Sequence, residues 1–134
     1  MTKGDPAEPS PARILVVDDS SLVRIYYRGA LQRAGFEVEQ AINGIEAMEK
    51  VLAQSFDLLI VDVNMPRMDG LSFVRALRRG AVEVATVPVL MITTEAGEQD
   101  VDDARAAGVN FYLVKPVSEA DLLRHAAVLT GAAA

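Results

Sequence analysis

Cysteine and tryptophan are absent from the 134-residue chain, histidine occurs once, and aromatic residues make up 5%. Without cysteine the protein has neither disulfides nor thiolate metal sites. Positive charge is also short: 13 Lys and Arg face 19 Asp and Glu, a formal net charge of -6. That balance argues against a surface that tracks nucleic-acid phosphates, whose electrostatic footprint is basic. No apolar run approaches the roughly 20 residues that span a bilayer, and the N-terminal MTKGDPAEPSPAR has no apolar stretch of the secretory kind. A cytoplasmic protein with no membrane or nucleic-acid partner is expected. A glycine-rich loop that could cradle a nucleotide is missing as well.

What the chain does have is 51% hydrophobic and 24% charged residues, the balance of one globular domain. Pro6, Pro9 and Pro11 punctuate the first twelve residues among small and charged neighbours. That composition cannot nucleate a helix or strand, so residues 1–12 read as a disordered tail, 13–130 as the domain and 131–134 as a short alanine end. Within the domain, apolar runs of strand length alternate with stretches of helical period, the signature of a βα repeat around a parallel sheet. Strands are predicted at 14–17, 38–41, 58–61, 89–92 and 111–114. The continuous apolar runs among them suit strands covered on both faces. Helices are predicted over about 20–34, from Asn43-Gly44 to about 54, after Asp69-Gly70, within 97–107 and from about Ser118, with Gly35 and Gly108 as stops. The predicted architecture is α/β, a (βα)5 doubly wound parallel five-stranded sheet.

Right-handed crossovers place all the strand C-terminal ends on one edge of such a sheet, where open α/β folds bind ligands. Asp18, Asp19, Asp62, Thr93 and Lys115 all sit just past a strand's last apolar residue, so their side chains should converge. A single aspartate there would be an ordinary cap or turn residue. Three unpaired carboxylates together would repel strongly, and a hard divalent cation relieves that repulsion. Mg²⁺ is typically held by one or two carboxylates with phosphate oxygens and water. Lys115 and the Thr93 hydroxyl add the cation and the donor that neutralise phosphoryl oxygens during transfer. No histidine lies near to serve as base, so a carboxylate is the expected phosphoryl acceptor, and Asp62, central in the sheet, is the best placed.

The motifs ILVVDDS, LLIVDVNMPRMDG, VLMITTEA and FYLVKP, in that order over about 13–130, resemble those of the response-regulator receiver domain, in particular its stand-alone chemotaxis (CheY-like) members. The resemblance implies a flavodoxin-like sheet ordered 2-1-3-4-5 and a two-component signalling role rather than turnover catalysis. It makes Asp62 the phosphorylated aspartate and Asp19 a direct Mg²⁺ ligand, with Asp18 acting largely through water and Asn64 through its backbone carbonyl. Thr93 would hydrogen-bond the phosphoryl group, Lys115 would pair with it, Tyr112 would be an aromatic switch, and Lys115-Pro116 a cis peptide. Asn64 and Glu95 stand where the family controls the approach of water to the acyl phosphate, and their polar character implies fast self-dephosphorylation. Thr94 replaces an alanine common in close relatives and is expected to crowd an entrance shared by Tyr112 and the phosphodonor. The implied partners are a histidine kinase as donor and a flagellar motor switch protein or other output protein as target, with a phosphatase as an optional third.

Two other functions fit parts of the pattern. A phosphohydrolase of the haloacid-dehalogenase type also uses a strand-end aspartate with Mg²⁺, but wants an acid two residues on as proton donor, and that position is Asn64. A pseudo-receiver that is never phosphorylated usually lacks one of the key residues, and all are present. A phosphorelay or cell-cycle shuttle is the alternative setting to chemotaxis. With room for only one helix after Lys115, no DNA-binding or catalytic effector is expected to follow. Elsewhere the expectations are plain: His125 is a helix-surface residue rather than a phosphoryl carrier, Arg75, Arg78 and Arg79 form a solvated helix face, and one of the adjacent Tyr26 and Tyr27 is exposed. Met65 and Met68 pack over the loop after Asp62.

Overall fold

The computed structural model describes residues 11–132. Five strands and six helices follow in the order β1 (Arg13–Val17), α1 (Ser21–Arg33), β2 (Glu37–Ala41), α2 (Gly44–Ala53), β3 (Leu58–Val61), α3 (Gly70–Arg78), α4 (Val82–Ala85), β4 (Val89–Thr93), α5 (Glu98–Ala107), β5 (Phe111–Val114) and α6 (Glu119–Thr130). The strands form one parallel sheet in the order β2-β1-β3-β4-β5, the doubly wound arrangement expected. One element is additional. The connection between α3 and β4 contains the single-turn helix α4, whose four residues have no side-chain cap and are too short to show a helical period. Residues 1–10 of the expected N-terminal tail and 133–134 of the C-terminal end lie outside the described residues.

The alternation of side chains along each strand divides the core in two. Ile14, Val16, Leu58, Ile60, Leu90 and Ile92 pack with Tyr27, Ala30 and Leu31 of α1 and Leu122 and Ala126 of α6. Leu15, Val17, Leu59, Val61, Val89 and Met91 point the other way, against Ala47 and Val51 of α2, Phe73, Val74 and Leu77 of α3, and Ala104 and Ala107 of α5. Both faces of the three central strands are therefore covered, which is why these strands read as unbroken apolar runs. Each such buried aliphatic side chain contributes roughly 1.5–3 kcal/mol, so the sheet is a stiff platform.

Four helices begin at a capping side chain. Ser20, Asn43, Asp69 and Ser118 accept the backbone N–H of Val23, Glu46, Ser72 and Asp121. Such a cap is typically worth about 1 kcal/mol. All four lie in the loops that leave the C-terminal ends of the strands, so helix starts and strand ends meet on one edge. Among the described residues no helix is long and apolar enough to cross a membrane.

Candidate functional site

Backbone hydrogen bonds carry the sheet's ladder one step past the strands and fix the first residue of each functional loop. Asp18 N–H donates to the Ala41 carbonyl at 3.1 Å, Asp62 N–H to that of Val17 at 3.0 Å, and Lys115 N–H to that of Thr93 at 2.8 Å. The winding reverses between the neighbouring strands β1 and β3, and that reversal is where open α/β sheets form a ligand crevice. Asp18 and Asp62 follow directly on those two strands. Gly70 completes the placement of Asp62. A Cβ at residue 70 would collide with the Asp62 carbonyl oxygen, so α3 can start against this backbone only because residue 70 has no side chain.

Asp18, Asp19 and Asp62 each offer a carboxylate oxygen within 4.8 Å of the other two; Asp18 and Asp62 are buried and Asp19 is exposed. Lys115 Nζ lies 3.0 Å from Asp18 Oδ2 and 3.7 Å from Asp62 Oδ1. Ser20 N–H donates to Asp18 Oδ1 at 2.9 Å, and Arg24 Nη1 donates to the Asp18 carbonyl at 2.7 Å. Three ionised carboxylates against one ammonium leave two negative charges, a deficit that a divalent cation matches. The donors are all oxygens, which suits a hard ion such as Mg²⁺. Burial pushes the Asp62 carboxyl above the usual carboxylate range; Lys115 opposes that shift, Asp18 adds to it, and hydrogen bonds from the Thr93 side chain and the Val63 backbone oppose it. A carboxylate whose charge is disfavoured in this way is stabilised by a nearby cation.

Thr93 is fully buried at the end of β4, and its Oγ1 accepts the Glu95 N–H at 3.4 Å. Glu95 joins the loops around the site: its Oε2 accepts from Asn64 Nδ2 at 2.8 Å, and its carbonyl accepts from the Tyr112 hydroxyl. Asn64 and Glu95, predicted separately, are thus in contact. Tyr112 is half-buried and tied to the loop after β4, and its hydroxyl pKa is raised, by burial first and then by Asp100, Glu95 and Asp62. The Lys115-Pro116 peptide bond is cis. Thr94 departs from expectation. It is exposed and lines a groove of about 460 Å³ with Leu22, Val23, Tyr26 and Pro116 on the α1 side, whereas Tyr112 packs with the core on the α5 side. Successive residues at a strand end point to opposite faces, so Thr94 and Tyr112 do not share an entrance.

Two arginines escaped the sequence reading. Arg24, which holds the Asp18 carbonyl, also donates from Nε to Gln40 Oε1 at 3.1 Å; its only sequence signal is a position one helical turn after Ser20. Arg78 was expected in solvent with Arg75 and Arg79. Instead, its guanidinium donates to the carbonyls of Ala85, Val87 and Gly108 and to the side chain of Asn110, and burial lowers its pKa. The acceptors lie beyond α3, at the end of α4, before β4 and around the turn between α5 and β5, so no periodicity along α3 announces them. His125 lies on the surface of α6, half-buried, with its ring edge-on to Phe111 at 4.9 Å. Of the paired tyrosines, Tyr27 is buried and Tyr26 exposed, as expected.

Known proteins resemble the chain throughout this fold. The family model described as the response regulator receiver domain matches residues 14–127. Chemotaxis protein CheY1 of Helicobacter pylori is 42% identical over 121 residues, which are 89% of this chain and 97% of that protein. The crystal structure of Vibrio cholerae chemotaxis protein CheY4 superposes with a TM-score of 0.84 at 39% identity, over 89% of this chain and 98% of that one. A CheY-like receiver domain protein from Methanospirillum hungatei gives a TM-score of 0.85 at 27% identity, over 92% of this chain and 96% of the other. With the family model spanning nearly all of the fold and a relative matched almost end to end, the chain belongs to the response regulator receiver domain family, signalling modules rather than turnover enzymes whose phosphodonor is a histidine kinase.

Proposed function

We propose that Asp62 accepts a phosphoryl group from the phosphohistidine of a histidine kinase and that the phosphorylated protein signals by binding another protein. An Asp62 carboxylate oxygen attacks phosphorus, the P–N bond to the donor imidazole breaks, and the bonding electron pair returns to the imidazole nitrogen. Water later attacks the same phosphorus and releases inorganic phosphate, restoring the carboxylate. Mg²⁺, held by Asp18, Asp19, Asp62 and the Asn64 backbone carbonyl, would neutralise phosphoryl oxygens. Lys115 supplies a second positive charge, the Thr93 hydroxyl hydrogen-bonds the incoming group, and Asn64 and Glu95 govern the approach of water. The observation that carries this reading is the convergence of three carboxylates within 4.8 Å, with Lys115 against two of them.

The setting we infer is chemotaxis, in the cytoplasm, with a flagellar motor switch protein as target and a phosphatase as an optional regulator. Similarity to two proteins named for chemotaxis, at 42% and 39% identity, supports it. A match of 34% identity to sensor protein EvgS of Escherichia coli, covering 9% of that protein, keeps a phosphorelay role as the second reading. Purified protein incubated with a small-molecule phosphodonor and Mg²⁺ tests the chemistry: labelling that needs both Mg²⁺ and Asp62 supports it, and labelling of Asp62→Asn at the wild-type level refutes it.

A further inference from the structure

The two ends of α5 are held very differently. At its N-terminal end the helix starts from Gly97, which has no capping side chain; the Gly97 N–H instead donates to Asp100 Oδ2 at 3.0 Å. The preceding loop exposes Thr94, Ala96 and Gly97. Among the described residues, its side-chain ties to the rest of the protein run through Glu95, which contacts Thr93, Asn64 and Tyr112. These hydrogen bonds run to Thr93 at the C-terminal end of β4, to Asn64 in the loop after Asp62, and to Tyr112 of β5.

At the C-terminal end, α5 stops at Gly108 in the left-handed conformation, φ 108°. The Gly108 carbonyl accepts from Arg78 Nε at 3.0 Å and from Nη2 at 2.8 Å. Arg78 Nη1 donates to the Ala85 carbonyl at 2.8 Å and the Val87 carbonyl at 2.6 Å, and Nη2 donates to Asn110 Oδ1 at 2.9 Å. A guanidinium has five N–H groups, and these contacts use them all. None of the acceptors is a carboxylate. Four of the bonds go to main-chain carbonyls, and the Asn110 side chain is itself anchored by the Val89 N–H at 2.8 Å. The positive charge also caps the negative end of the α5 dipole. A Cβ at residue 108 would press on Arg78 Cγ at 2.8 Å, so Arg78 can lie this close only because residue 108 has no side chain.

We propose that Arg78 is a positioning residue that pins the C-terminal end of α5 to α3, α4 and the starts of β4 and β5, making that end the pivot about which phosphorylation swings the helix. A pull on Thr93 and Glu95 then tilts α5 and displaces Tyr112 and the neighbouring surface, because the far end is fixed and cannot follow. Without the pin, the same pull slides or loosens the whole helix and its effect on the outward face is diluted. The proposal rests on the reading of Asp62 as phosphoryl acceptor.

Backbone amide NMR shifts with and without beryllofluoride and Mg²⁺ test it. Wild type should show large shift changes over residues 94–101 that fall to nearly nothing over 107–110. Arg78→Ala should lose this gradient, with changes over 107–110 rising at least threefold while beryllofluoride affinity stays within about threefold. Arg78→Lys, which keeps the charge but not the five-pronged donor set, should behave like Arg78→Ala. Asn110→Ala removes one acceptor and provides a milder variant should the arginine substitutions fail to fold. A residue that merely supports the fold would lower the melting temperature and leave the gradient intact. An unchanged gradient in the folded variants, or no gradient in wild type, overturns the pivot alone. No shifts around Asp18, Asp19 and Asp62 in wild type would overturn the phosphorylation reading and the pivot with it.

Discussion

Asp62 is surrounded by groups that disfavour its charge, burial above all, and only Lys115 and two hydrogen-bond donors offset them. Its pKa is therefore higher folded than unfolded, and the folded state binds the proton more tightly. For the metal-free protein, stability from this residue is complete below the usual carboxylate range and is lost as pH rises through the elevated folded value. Asp62→Asn removes that loss, so at neutral pH without metal it should raise the melting temperature by a few degrees, about 1 kcal/mol, and the gain should vanish on acidification. Melts of both proteins from acid to neutral pH in a chelator check this. Asp19 and Asp18 should differ in another way. Asp18 is buried and holds Lys115 and the Ser20 N–H, while Asp19 is exposed and makes no side-chain hydrogen bond or ion pair among the described residues. Calorimetry should find Mg²⁺ affinity reduced more than tenfold by Asp19→Ala with little change in metal-free stability. Asp18→Ala should weaken Mg²⁺ less and cost roughly 1–3 kcal/mol of stability, because it removes the nearer carboxylate partner of the half-buried Lys115 and the acceptor of the Ser20 N–H.

At the scale of elements, the loops after β3 and β4 decide how the site works. Gly70 lets α3 begin against the Asp62 backbone, and Gly70→Ala should cost roughly 1–3 kcal/mol and slow phosphorylation by displacing Asp62; denaturant melts and initial labelling rates measure the two effects. The contact between Asn64 and Glu95 spans both loops. If these two side chains govern the approach of water as proposed, replacing both with bulky residues should lengthen the acyl-phosphate lifetime at least severalfold, read as loss of radiolabel from the isolated phosphoprotein with Mg²⁺. The cores of β1, β3, β4 and β5 were legible because each is an apolar run bounded by turn residues, whereas β2 is the mixed run EVEQA; helix starts were legible because Ser20, Asn43, Asp69 and Ser118 are strong caps. The helix α4 was not, since one turn has no period. Neither was the pinned Arg78, whose partners are main-chain carbonyls brought near by folding rather than by any pattern along α3.

For the molecule as a whole, the sheet with two covered faces acts as a rigid frame that presents one edge. Five residues scattered from Asp18 to Lys115 meet there because every strand is parallel and the strands finish within two residues of one another in register. This convergence could be read from residue order alone, as each functional side chain follows an apolar run. The division of the loops between the two faces could not, and so Thr94 was expected beside Tyr112 when it belongs to the groove over α1. On the proposed reading, this edge places a phosphoryl group on one aspartate. Reducing the freshly phosphorylated protein with borohydride converts an aspartyl phosphate to homoserine, and peptide mass spectrometry then locates it. Homoserine is expected at position 62, formed only when Mg²⁺ accompanied the phosphodonor; homoserine at another acid, or an intact Asp62 in protein that has taken up label, would rule out Asp62 as the acceptor.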